Sequence, residues 1–355
     1  MYELIKPLLF SLDPARAHAL AMESLGVVER LAPLRGFLRA HVAHHDERLV
    51  VRKMGLAFAN PLGLAGGFDK NAERPRALAA LGFGHVELGT VTNEAQEANP
   101  APNLFRLPQD RALVNRLGFP NEGASVVGPR ILAKKPEIGV PVGVSIGKSR
   151  SVALDAALPD YVASYRAVHA AADFVVVNIS SPNTKDLRAL QAADTARELF
   201  AALQKEASGK PLLVKIAPDL ADEAVDAICQ EASRAGLAGV VATNTTISRE
   251  GLATATSEIE AIGAGGLSGP PVHRRAIEVV RRARTVLGPE ACVIGVGGVF
   301  DPTTMLAMLR AGADLVQLYT GFVYEGPLLP RMICRGLSAA LDRKGARTLA
   351  ELVGA

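Results

Sequence analysis

From about residue 60 onward the chain repeats one unit: a short apolar run, a polar or Gly-rich turn, then a stretch of helical composition. The runs cover 62–65, 86–89, 142–146, 174–179, 212–216, 240–243, 293–296 and 315–319. Each is brief and nearly unbroken in apolar residues, the pattern of a strand buried on both faces of a parallel sheet. Between them, 74–81, 160–172, 193–207, 222–235, 272–287 and 303–311 have helical composition. Asp301-Pro302 opens the last of these with an N-cap residue and a proline at the first helical position. Strands alternating with helices in this number predict an α/β chain folded as a TIM (β/α)8 barrel. A doubly wound sheet is the rival arrangement of the same units. At 355 residues the chain is long for one average domain, but a barrel with an extension accounts for it.

Residues 1–45 do not share this rhythm. An apolar helix is expected at 2–10, where Leu4, Ile5, Leu8, Leu9 and Phe10 are too many apolar groups for a short free-standing segment. Asp13-Pro14 opens a second helix, and Pro33 and Gly36 are expected to break up the stretch after it. The segment either packs on the barrel or forms an interfacial patch against a membrane, with Lys6, Arg16, Arg30, Arg35 and Arg39 nearby. Two units are therefore expected: a helical extension over 1–45 and a barrel over 46–355. The runs 49–51 and 56–58, around Met54-Gly55, look like a hairpin closing the bottom of the barrel.

Composition excludes several classes of function. With 49% hydrophobic and 21% charged residues the chain is too apolar for disorder. Thirty-nine Lys+Arg against 36 Asp+Glu, 5% aromatics and no Trp argue against a nucleic-acid partner. Cys229, Cys292 and Cys334 are scattered, with no CxxC or Cys/His cluster, so a reducing compartment and no metal site are expected. No uncharged apolar run reaches the roughly 18 residues of a spanning helix, and no signal peptide is visible; a soluble-type fold is expected.

In a barrel the chemistry sits where strands end, so polar residues there are informative. The first run ends in Ala65-Gly66-Gly67-Phe68-Asp69-Lys70. The glycines allow close approach to a flat or anionic ligand and Lys70 can meet a carboxylate; a tight turn with a solvated Lys is the alternative. Gly89-Thr90-Val91 says little by itself. The fourth run gives the strongest signal, Asn178-Ile179-Ser180-Ser181-Pro182-Asn183-Thr184, because a buried Asn demands hydrogen-bond partners. Lys215 lies inside the apolar fifth run, where it must face an anion, a cofactor, a reactive carbonyl or a structural ion partner. Thr243-Asn244-Thr245-Thr246 and Asn115-Arg116-Leu117-Gly118-Phe119 add further amides and hydroxyls. Several Asn amides with one or two Lys suit a planar ligand with alternating donors and acceptors plus an anion, such as a pyrimidine carboxylate. Gly295-Val296-Gly297-Gly298, Tyr319-Thr320-Gly321 and the 265–269 loop stand where barrels bind phosphate. None fits the dinucleotide fingerprint, so together they suggest a mononucleotide such as FMN rather than NAD.

The segments 178–184, 215–220, 242–246, 265–269, 294–298 and 316–321 together resemble the dihydroorotate dehydrogenase family, through essentially the whole chain and in the expected order. The extension, with Asp13-Pro14 and His18, resembles the quinone-dependent, membrane-associated class of that family. The resemblance implies FMN across the barrel mouth, touching Ala65, Gly66, Gly67, Phe68, Asp69, Thr90, Asn178, Lys215, Thr243, Gly269, Gly298, Tyr319 and Thr320. It implies dihydroorotate held by Lys70, Asn115, Arg116, Leu117, Gly118, Phe119, Asn178, Asn183, Asn244 and Thr245, with Ser181 as the catalytic base. Where the family commonly has Asn facing the flavin this chain has Ser145, which is shorter and would reach FMN through water. His18 and Arg106 are candidates for hydrogen-bonding a membrane quinone; their alternatives are a capping or surface His and a structural Arg. The class also implies peripheral contact with lipid at the cytoplasmic face of the membrane.

The implied reaction, a step of pyrimidine biosynthesis, removes a proton from C5 of dihydroorotate and passes hydride from C6 to flavin N5, yielding orotate. Serine is a poor base by itself, so Ser181 needs a relay, for which Thr184 is the neighbour in sequence. A cysteine in its place would suggest a soluble class with other acceptors. Lys215 would stabilise charge on the flavin and Lys70 would anchor the substrate carboxylate. Two rivals stand beside this reading. An aldolase-type lyase with a Schiff base on Lys215 explains that lysine but not the amides. A non-catalytic nucleotide-binding barrel does not require Lys70, Ser181 and Lys215 to converge.

Overall fold

The computed structural model describes residues 2–354. Eight parallel strands close a barrel: β1 (Leu62–Leu64), β2 (His85–Val91), β3 (Val142–Ile146), β4 (Phe174–Asn178), β5 (Leu212–Ile216), β6 (Gly239–Ala242), β7 (Cys292–Val296) and β8 (Leu315–Leu318). Each pairs with its neighbours in sequence, and β8 returns to β1 with Val316 opposite Leu62 and Leu318 opposite Leu64. A closed sheet excludes the doubly wound rival. Helices cover the outside with apolar faces at helical spacing; Pro270–Leu287, for example, buries Val272, Ala276, Val279, Val280 and Ala283. Asp301 caps Pro302–Arg310 by accepting from the Thr304 amide at 2.8 Å.

The hairpin Val51–Lys53 with Leu56–Phe58 turns at Met54-Gly55, both at positive φ (56° and 71°). Its first strand starts later than the expected 49–51. Phe58 packs with Phe174, Val176, Leu213, Val241 and Leu315, plugging the end of the barrel opposite the strand C-termini.

Three helices precede the barrel: α1 (Tyr2–Ser11), α2 (Pro14–Arg30) and α3 (Ala32–His41). Asp13 caps α2 by accepting from Ala15 and Arg16 amides at 3.0 and 3.2 Å. The expected break at Pro33 and Gly36 does not occur. Pro33 sits in the first turn of α3, where no amide donor is required, and Gly36 lies on the exposed face with free space around it. The helices are fastened to the barrel. The buried Glu29 carboxylate accepts from the Ala77 amide at 2.9 Å and lies 3.4 Å from Lys134. Buried Arg35 donates to the Glu29 carbonyl and pairs with Glu137, and Arg39 donates to the Ile138 carbonyl at 2.8 Å. Leu4, Ile5, Leu8, Leu20, Val27, Leu31 and Phe37 nonetheless stay exposed, Leu4 at 84%. Among the described residues no helix is long and apolar enough to cross a membrane.

Several elements have no counterpart in the sequence pattern, the helices Thr256–Ile262, Thr320–Glu325 and Leu329–Lys344 among them, and two more stand out. One is the helix Ala124–Ile138, which two internal prolines, Pro129 and Pro136, disguise. The other is a small antiparallel sheet, Leu104–Leu107, Ala112–Asn115 and Gly266–Ser268, standing beside the barrel mouth.

Candidate active site

The C-terminal ends of the strands open into one cavity, and the residues expected to carry chemistry meet there. Asn178 ends β4 directly beside Lys215 of β5. Its Nδ2 donates to Thr90 Oγ1 at 2.9 Å, and its Oδ1 accepts from Ser180 Oγ at 3.0 Å and from Asn244 Nδ2 at 3.3 Å. Asn244 Nδ2 also donates to Ser180 Oγ at 2.9 Å, while its Oδ1 accepts from the Thr245 amide at 2.8 Å. Across the mouth, Asn183 Nδ2 donates to Asn115 Oδ1 at 3.0 Å. The amides thus hold one another in fixed orientations, which is what recognition of a planar polar ligand requires.

Ser181 is buried at the cavity wall, and its Oγ accepts from the Asn183 amide at 3.2 Å. Thr184, also buried, has an Oγ1 with no hydrogen-bond partner among the described residues. The loop carrying both is clamped by Arg188, a residue that sequence reasoning misses. Arg188 donates through Nε to the Ser180 carbonyl at 3.0 Å and through Nη2 to the Thr245 carbonyl at 3.0 Å, and its Nη1 lies 2.8 Å from Asp219. One guanidinium therefore joins the loops after β4, β5 and β6.

Lys215, buried to 5% exposure, has its Nζ 3.5 Å from Oε1 of Glu87 on β2. Glu87 is fully buried, and its Oε2 accepts from Gln317 Nε2 of β8 at 2.9 Å. Sequence reasoning misses Glu87 and Gln317 as well, although each interrupts an apolar run just as Lys215 does. Lys70 donates to the Gly67 carbonyl at 2.6 Å. Burial pushes its pKa down to about 8, against the pull of Asp69. At Gly298 (φ 64°) a Cβ would lie 2.6 Å from His273 Cβ and 3.0 Å from the Gly269 carbonyl oxygen, so only glycine lets these two loops cross.

A family model for dihydroorotate dehydrogenase matches residues 48–341. The chain belongs to the dihydroorotate dehydrogenase family. A protein of Thermobifida fusca (strain YX) called dihydroorotate dehydrogenase (quinone) is 48% identical over 98% of this chain and 94% of its own length. One of the same name from Rhodococcus opacus (strain B4) is 47% identical over 100% and 99%. The crystal structure of the Eimeria tenella enzyme in complex with ferulenol superposes with a TM-score of 0.86 at 34% identity, over 96% of this chain and 95% of that one. The ligand-free form gives 0.85. The sequence resemblance and the barrel expected with it are both borne out.

The residues that the dihydroorotate dehydrogenase resemblance implies fall into two groups. On the cavity wall stand Ala65, Gly66, Gly67, Lys70, Thr90, Asn115, Leu117, Gly118, Phe119, Asn178, Ser181, Asn183, Lys215, Thr243, Asn244, Thr245, Gly269, Gly298, Tyr319 and Thr320. Phe68, Asp69, Arg116, Ser145, His18 and Arg106 stand off it, each for a visible reason. Asp69 organises its own loop, accepting from the Glu73 and Arg74 amides at 2.8 and 2.7 Å. Arg116 turns outward to the carbonyls of Pro102 and Ile262. Ser145 lies behind Thr90, its Oγ 2.9 Å from Thr90 Oγ1, so its link to the cavity runs through threonine. Phe68 forms a partition, its ring 5.5 Å from Tyr319, 5.4 Å from Phe322 and 5.2 Å from His18 of α2. Burial, reinforced by the charge of Lys70, lowers the His18 pKa to about 4 and keeps it neutral at physiological pH. Arg106 donates to the Leu12 carbonyl at 2.7 Å and lies 4.7 Å over the Phe10 ring, tying the α1–α2 turn to the side sheet.

Proposed function

We propose that this protein is a quinone-dependent dihydroorotate dehydrogenase that uses FMN to oxidise (S)-dihydroorotate to orotate, the ring-oxidation step of pyrimidine biosynthesis. The observation that carries the reading is the convergence of Ser181, Lys70 and Lys215 with four Asn side chains on one cavity. The names borne by the bacterial relatives support it. The donor set suits FMN: glycine backbone at Gly66, Gly67 and Gly298 for close approach, Thr90, Asn178 and Thr243 for a polar ring edge, and Lys215 for negative charge. Bound there, FMN supplies the two-electron acceptor for hydride leaving C6.

The protein's own part is binding and proton handling. Lys70 holds the substrate carboxylate, and the carboxylate in turn keeps the ammonium charged. The Asn amides match the N–H and C=O edges of the dihydropyrimidine. Ser181 Oγ takes the C5 proton, and the Asn183 amide already aimed at that oxygen steadies negative charge on it. As it does so Ser181 must hand on its own hydroxyl proton; the buried Thr184 hydroxyl, without a hydrogen-bond partner among the described residues, would receive it through a bridging water. The quinone approaches past Phe68 from α1 and α2, whose exposed apolar side chains rest on the cytoplasmic face of the membrane. Neutral His18 and the remaining donors of Arg106 serve the quinone head. An ion-paired Lys215 is a poor nucleophile for a carbonyl, which disfavours the Schiff-base rival.

Steady-state oxidation of dihydroorotate with quinone, fumarate and NAD compared as acceptors tests the reading. Turnover with quinone, by a yellow protein, is expected; preference for NAD or fumarate, or a colourless protein, overturns it.

A further inference from the structure

A carboxylate with nothing of its own on the cavity wall lies immediately beneath it. Glu87 sits in β2, between the fully buried Val86 and Leu88, and is itself fully buried. A charge so placed must be paired and oriented, because an apolar residue fills the same space without desolvating a carboxylate. Its Oε2 is held by Gln317, whose Nε2 also lies 3.3 Å from His85 Nε2. Its Oε1 has no hydrogen-bond partner among the described residues, and its nearest charge is Lys215 Nζ at 3.5 Å. Above it is Gly66, where a Cβ would fall 2.3 Å from Oε1. Gly66 is thus glycine because the carboxylate occupies the space of its side chain. The floor of the cavity is one backbone thick at this point, with Lys215 emerging beside it.

We propose that Glu87 is a positioning residue for Lys215, and that the buried pair sets how strongly the cavity prefers reduced over oxidised cofactor. The proposal rests on the FMN reading above. With Glu87 in place the cavity faces an ammonium largely compensated from beneath. Without it, an uncompensated positive charge in a low-dielectric wall favours whichever cofactor state is more negative. For a flavin that is the reduced state.

The test is the midpoint potential of the bound flavin, measured by dye-equilibration spectrophotometry on the full-length protein and on Glu87→Gln and Glu87→Asp. Glu87→Gln, nearly isosteric, is expected to raise the potential by ~30 mV or more, the equivalent of about a tenfold change in relative affinity for a two-electron couple. Glu87→Asp, with its charge drawn back from Lys215, is expected to shift it in the same direction by less. If Glu87→Gln does not retain flavin, the Asp variant carries the test alone. An unmoved potential in whichever variant keeps its flavin, or a larger shift in Asp than in Gln, overturns the proposal while leaving the enzyme reading intact. A wild-type protein that binds no flavin overturns the FMN reading, and the proposal with it.

Discussion

Ser181 and Lys70 make the same demand on different parts of the substrate, and each makes a prediction. Ser181→Ala is expected to keep bound FMN while slowing its reduction by dihydroorotate about 10²–10⁴-fold, the ordinary contribution of a general base. Ser181→Cys recovers part of the rate with a lower pH optimum, because a thiol ionises more readily. Stopped-flow reduction at the wild-type rate in the alanine variant contradicts the assignment. For Lys70, burial lowers the pKa to about 8 in the free protein, so the charge that meets the carboxylate is present below that pH and lost above it. The KM for dihydroorotate is expected to be flat up to about pH 8 and to climb beyond it. Lys70→Arg is expected to abolish the climb, and an unchanged climb would assign it to another group. Much of this site was legible because Asn178 and Lys215 interrupt apolar runs, and a buried polar group needs a partner. Glu87 and Gln317 carry the same signal, but their partners lie on other strands and no local pattern names them. Arg188 was invisible for a simpler reason: in sequence it is one more arginine after a loop, and only the folded chain brings Ser180, Thr245 and Asp219 around it.

Among the elements, the loop after β4 and the N-terminal helices make the sharpest predictions. Arg188→Ala frees the Ser181 loop from the β6 loop, and displacing a base by about an ångström slows chemistry by up to ~10²-fold. Flavin reduction is therefore expected to slow while its reoxidation by quinone keeps the wild-type rate; equal slowing of both half-reactions would mean general damage. The extension poses a different question. Deleting 1–45 removes Glu29, Arg35 and Arg39, which leaves Lys134 without its ion partner and Arg76 and Glu137 with only each other, so the truncated barrel is expected to lose thermal stability. Polar replacement of Leu4, Ile5 and Leu8 is the cleaner experiment, because these side chains are exposed. Liposome binding and turnover with long-chain quinone are expected to fall, with flavin reduction unchanged; undiminished liposome binding would make the apolar face merely decorative. The helix α3 is hard to read in sequence because proline breaks a helix only past its first turn. The side sheet escapes local pattern because Asn115 pairs with Gly266, far beyond any local periodicity.

On the scale of the whole molecule, the barrel was legible because its topology is local: each strand pairs with the next, so the order of apolar runs is already the order of the sheet. Closure of β8 on β1 is the one long-range step, and it gathers loops from every quarter of the chain around one mouth. Under the proposed function the extension would add a second route, on the side of Phe68 where the His18 ring packs, so that substrate and acceptor would reach the cofactor from different directions. Anaerobic rapid mixing distinguishes that two-sided arrangement from a single shared entrance. Dihydroorotate added to the purified protein is expected to bleach the flavin fully without any acceptor present, and quinone added afterwards to restore the colour while orotate is still bound. Failure of dihydroorotate to bleach the flavin, or reoxidation only after orotate has left, would contradict it.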